Sequence, residues 1–160
     1  MIASGQVVKE TVRMAELARD NFTLSMRAFL ENSEECINKV YVNENIINTI
    51  EKEITDYLIE LSESNLAEEE SRLVSETYHT INDIERIGDH ATNIVELATN
   101  KIENKLELSS EALSELKEMY DTTLESVNLS IRSYSNNKII NPKDIESIED
   151  MGAEVKRLKA

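Results

Sequence analysis

Glycine, proline and aromatic residues are scarce in this chain. Its 160 residues include 3 Gly, 1 Pro, 2 Phe, 5 Tyr and no Trp. Few turn-forming residues mean few turns, so the regular elements must be long. With so few aromatic rings, the core has to be built from Ile, Leu, Val and Met. A single cysteine, Cys36, excludes an internal disulfide and fits a reducing compartment. As a lone thiol it reads as a small buried hydrophobe. No apolar run approaches the roughly 18 residues that span a bilayer, and no stretch has the pattern of a secretory signal. Any work at a membrane then needs a separate tether. Basic residues are also few, with 17 Lys and Arg against 32 Asp and Glu, a formal net charge of −15. Nucleic acid and anionic membrane surfaces would both repel such a chain, which excludes nucleic acid as a partner. Cations and basic protein surfaces remain compatible.

Helical periodicity runs through what is there, and no alternating strand pattern interrupts it. The spacing predicts a first helix from Ser4 to Leu30, with Val8, Val12, Ala15, Phe22, Met26 and Phe29 on one face and Arg19 as the interruption. "ENSEE" breaks the pattern, and a second helix follows over 37–62 through Ile47, Ile50, Ile54, Leu58 and Leu61. After "SESNLAEEE", Asn65 is placed to cap a third helix over 66–105, with Glu68 as its capping-box partner. That helix would run about 60 Å. Its seam of Ile81, Ile84, Gly88, Ala91, Val95, Ala98 and Ile102 alternates steps of three and four, as a bundle seam does. A fourth helix is predicted from Ser110 to Tyr134, with Leu113, Leu116, Tyr120, Leu124, Val127, Ile131 and Tyr134 inward. A fifth is predicted to start at Pro142, capped by Asn141.

Short loops between such helices give an all-α, up-down helical bundle of long, spectrin-like helices. Three helices close one unit over 1–106. The next two open a second, truncated unit over 107–160.

The chemistry concentrates in "NDIERIGDHATNIVELA", residues 82–98. Glu85 and Asp89 stand four apart, one turn from each other on one helical face. Gly88 lies in the seam beside them, where it and Ala91 permit a neighbouring backbone to approach. Two aligned carboxylates repel unless a cation, an arginine or a proton intervenes. Hard cations prefer such oxygens, and Fe and Mn accept them. His90 and Asn93 are near enough in sequence to help. The same spacing recurs at Glu16/Asp20, Glu31/Glu35 and Glu146/Asp150, so spacing alone equally describes a bundle-edge salt bridge with Arg86 or with a lysine of the second helix. Glu76 and His79 share the i, i+3 spacing of di-metal carboxylate bundles, but His90 has Ile87 three residues before it, so the second such motif is absent. A ferritin-like di-metal protein is thereby disfavoured. No phosphate loop, CxxC pair or nucleophile–base arrangement marks an enzyme.

The run "IERIGDHATNI", Ile84 to Ile94, resembles the signature helix of the PhoU family, phosphate-transport regulators built from two repeated three-helix bundles. "ENIINTIEKEI" is similar to the family's second helix, with Glu44, Asn48 and Glu51 at its polar positions, and "NPKDIESIED" looks like the same helix in a second repeat. The opening "SGQVVKETVRMAELARDNF", through Glu10, Arg13 and Met14, resembles the segment after the membrane part of bacterial sodium-dependent phosphate cotransporters. The resemblance covers nearly the whole chain, but the second repeat's signature helix is missing. It implies a non-enzymatic regulatory domain in phosphate transport with no organic cofactor, cytoplasmic and tethered to the inner side of the membrane through a transmembrane part before Met1. A freestanding phosphate-uptake regulator is the near alternative. The implied site is a divalent or ferric ion on Glu85 and Asp89, helped by Glu44, Glu51 or His90. The implied partners are a transporter's membrane domain or phosphate-signalling proteins. A second unit lacking its third helix leaves apolar faces uncovered, so the fourth and fifth helices are expected to pack on the first bundle or on another chain, giving a homo-oligomer.

Overall fold

The computed structural model describes residues 4–136. They form four helices, α1 (Ser4–Glu31), α2 (Glu34–Ser62), α3 (Glu68–Glu103) and α4 (Ser110–Ser135), and no strand is present among the described residues. The chain is all-α, and its helices pack as a bundle. None of these helices is long and apolar enough to cross a membrane. The fifth helix predicted from Pro142 lies outside the described residues.

α1 packs against all three other helices. This explains a discrepancy with its predicted seam. Ala15, Phe22, Met26 and Phe29 are buried as expected, yet Val8 and Val12 are only half-buried. A second stripe is buried as well, carrying Val7, Met14, Ala18, Asn21, Ser25 and Ala28. A central helix buries most of its circumference, and alanines at 15, 18 and 28 keep the neighbours close. α2 contributes Ile47, Ile50, Ile54, Leu58 and Leu61 to the core. α3 contributes the predicted seam from Ile81 to Ala98, with Ile102 half-buried at its end.

The break after α1 is shorter than "ENSEE" suggested. Glu34 and Glu35 already belong to the first turn of α2, where their charge favours the helix dipole. Ser33 is the cap, accepting the Cys36 N–H at 3.1 Å. Asn65 does not cap α3. Ala67 occupies the cap position without a side-chain bond, and three glutamates in the first turn supply the stabilising charge instead. α1 and α3 end alike. In each, the second residue beyond the cap donates its N–H back across the last turn, Ser33 to Ala28 O and Leu106 to Lys101 O. The residue between sits at positive φ, 53° at Asn32 and 52° at Lys105.

α4 folds back onto α1 rather than leaving its apolar face open. Tyr120 stacks on Phe22 with ring centroids 4.9 Å apart. Arg19, the interruption in the first seam, donates to Asn128 at 3.3 Å. The Tyr134 hydroxyl meets Thr77 Oγ1 at 2.8 Å, joining α4 to α3. Leu116, Val127 and Tyr134 are buried, while Leu113, Tyr120, Leu124 and Ile131 pack half-buried against the core.

The left-handed turn at Lys105 carries a testable cost. A side chain there strains the backbone by about 1–2 kcal/mol, whereas Asn at position 32 tolerates it better. Lys105→Gly is expected to stabilise the fold by about 1 kcal/mol, allowing for glycine's greater freedom in the unfolded chain. Denaturant melts that show no gain would mean that the turn is not held in this form.

Candidate functional site

The signature stretch lies on α3 where α2 crosses it. Gly88 is buried, and Glu85 and Asp89 are exposed on either side of it. The group that approaches the glycine is not a backbone, as its sequence position suggested, but the carboxylate of Glu44 from α2. A Cβ built on Gly88 would lie 2.6 Å from Glu44 Oε1 and 3.1 Å from its Oε2. The glycine therefore makes a cradle for an acid. Any larger residue would fill the space that the carboxylate occupies.

Four acids share this groove, in two pairs set by helix geometry. Glu44 and Glu51 are two turns apart on α2, and Glu85 and Asp89 one turn apart on α3. Because the helices run antiparallel, Glu44 faces Asp89 and Glu51 faces Glu85. Burial pushes the Glu44 carboxyl above its usual range, and the charges of Asp89 and Glu85 push it further. The Asn21 amide holds it down. Glu51 is raised to about 7 by burial, by its hydrogen bond with Glu85 and by the charges of Glu85 and Glu44. A hydrogen bond between two carboxyl groups requires a proton on one of them, so the Glu51–Glu85 pair shares a proton near neutrality. Glu44 Oε2 is buried and has no hydrogen-bond partner.

These acids have not drawn together around a point. Among the described residues no three His, Cys, Asp or Glu side chains converge to hold a metal ion. Repulsion accounts for this, since without a cation each pair lowers its energy by spreading or taking a proton. The donor set still fits a hard cation. Every donor is a carboxylate oxygen, and one of them, Glu44 Oε2, is buried without a hydrogen-bond partner.

The remaining candidates fall elsewhere. His90 lies about 100° further round α3 from Asp89 and is 7% exposed, so it does not enter the groove. Asn48 is exposed on α2, and Asn93 is half-buried. Arg86 pairs with Asp83 at 3.8 Å, one turn back along α3. Glu76 is half-buried and His79 exposed, which leaves their i, i+3 spacing a rim feature. Sequence reasoning missed Asn21. Its signal was a buried-phase amide in an apolar stripe, visible only once α1 is known to be central.

The PhoU domain pattern matches residues 11–98, more than half of the chain, and this span holds α2, most of α1 and α3, and all four acids. The chain belongs to the PhoU family. Its members are regulatory and non-enzymatic, and the family gives this chain a phosphate-related regulatory role. No curated protein and no solved structure matches the chain.

Within this PhoU domain, Gly88 separates the stability of the fold from the geometry of the site. Gly88→Ala meets only the far end of a flexible side chain. Glu44 can swing away, and the helix gains about 0.5–1 kcal/mol in propensity. The melting temperature should hold or rise by about 2–4 °C, while the groove loses Glu44. Gly88→Leu should destabilise by about 1–3 kcal/mol through overpacking. An alanine variant that melts well below the parent would show that Glu44 cannot leave.

Proposed function

We propose that this chain is the cytoplasmic regulatory domain of a sodium-dependent phosphate cotransporter, and that it binds a divalent or ferric cation in the α2–α3 groove. The observation that carries the cation reading is the unpartnered, buried Glu44 oxygen set against Gly88 between Glu85 and Asp89. Glu85 and Asp89 hold the ion from α3, Glu44 and Glu51 from α2, and water completes the shell. The ion neutralises the groove and draws α2 towards α3, which gives the family's regulatory role a physical lever. The transporter setting is supported by the resemblance of the opening segment around Glu10, Arg13 and Met14 to cotransporter sequences. A freestanding phosphate-uptake regulator is the alternative, with the same groove. In both settings α4 opens a second repeat. A homo-oligomer belongs to the same reading, supported by Val42 and Ile46, which are 57% and 48% exposed on α2.

The test is calorimetric titration of the chain with Mn²⁺, beside Glu85→Ala/Asp89→Ala. Both side chains are exposed, so the double variant should keep its helical content and melting temperature while Mn²⁺ binding is lost. Binding at Glu85 and Asp89 is refuted if the variant takes up Mn²⁺ like the parent. If neither protein binds, the signature stretch serves packing alone.

A further inference from the structure

Asn21 stands in the middle of α1 and is 1% exposed. An amide buried without partners is strongly destabilising, so its partners show what it is for. Its Nδ2 donates to the Val40 carbonyl of α2 at 3.1 Å. Its Oδ1 accepts from Asn43 Nδ2 at 3.1 Å. The amide also favours the charged form of the Glu44 carboxyl, which rises from the same turn of α2. An amide nitrogen carries two N–H donors. One of them serves Val40.

These contacts all fall on one turn of α2. The Val40 carbonyl is the acceptor for the backbone N–H of Glu44 within the helix, so Asn21 grips the peptide group to which Glu44 is already tied. It also holds Asn43, the residue just before. A leucine at position 21 could pack α1 against α2 equally well. It could not fix the rotation of this turn or the direction of the Glu44 side chain. We propose that Asn21 is the positioning residue of the acidic groove, holding Glu44 over Gly88 so that its unpartnered oxygen is presented to a cation. Asn21 itself does not touch the cation, and its role rests on the cation-binding reading above.

The experiment compares Mn²⁺ binding by the chain with that of Asn21→Leu and Asn43→Leu. Each variant breaks the Asn21–Asn43 bond and is expected to melt lower. Only Asn21→Leu loses the hold on Glu44. It should weaken Mn²⁺ binding about tenfold or more, whereas Asn43→Leu should change it by less than about twofold. Equal losses in the two variants would make Asn21 a structural residue only, and unchanged binding in Asn21→Leu would overturn the proposal outright. A second measurement needs no metal and leaves Asn21 and Asn43 intact. The side-chain amide resonance of Asn21 should move on Glu44→Gln and stay in place on Glu51→Gln. If the parent binds no Mn²⁺, the cation reading fails by itself, and an Asn21 resonance indifferent to Glu44→Gln would sink the positioning role separately.

Discussion

Four carboxylates pressed into the contact between α2 and α3 set the terms for this bundle. Two like charges about 6 Å apart near a protein surface repel by about 3 kcal/mol before salt screens them. What holds the helices together against this is on the same two helices. Ile47, Ile50 and Ile54 on α2 and Ile81, Ile84 and Val95 on α3 are buried, and each such side chain contributes about 1.5–3 kcal/mol. The apolar seam wins, but the repulsion persists in the groove. It adds to burial, the larger cause, in raising the Glu44 and Glu51 carboxyls.

The central position of α1 gives this groove its rigidity. α1 carries Asn21 to the turn of α2 that bears Glu44, and it buries Phe22 and Met26 within the next turn or so. α4 braces α1 from the other side through Tyr120 and Asn128. A change in charge at the α2–α3 contact is therefore transmitted to helices that are firmly packed, rather than absorbed by a loop.

The sequence showed the four helices well, because three–four apolar spacing is a strong signal over twenty or more residues. Their ends were less legible. Ser33 was hidden among polar neighbours, and Asn65 had the right type in a place where the chain does not need it. The site was half visible. Glu85 and Asp89 could be picked out by their spacing on either side of Gly88, and Glu44 and Glu51 through the family resemblance. Helix periodicity could not tell that Gly88 makes room for a carboxylate rather than for backbone, because that depends on the rotation of α2 about its own axis. His90 was drawn in by sequence proximity, but a step of 100° places it on another face.

The pH dependence of this contact follows from its carboxyl groups. Glu44 and Glu51 are raised above their ordinary values, so the folded chain holds more protons than the unfolded one between about 4.5 and about 7. Stability contributed by the groove is therefore greatest at the acid end of that window and is lost as pH rises through it. The central claim, that the fold forces these acids together, is tested most directly by following the side-chain carboxyl carbon of Glu51 in a metal-free NMR titration. The account predicts a midpoint at about 7. A Glu51 midpoint at about 4.3, the ordinary value of an isolated glutamate, would contradict it.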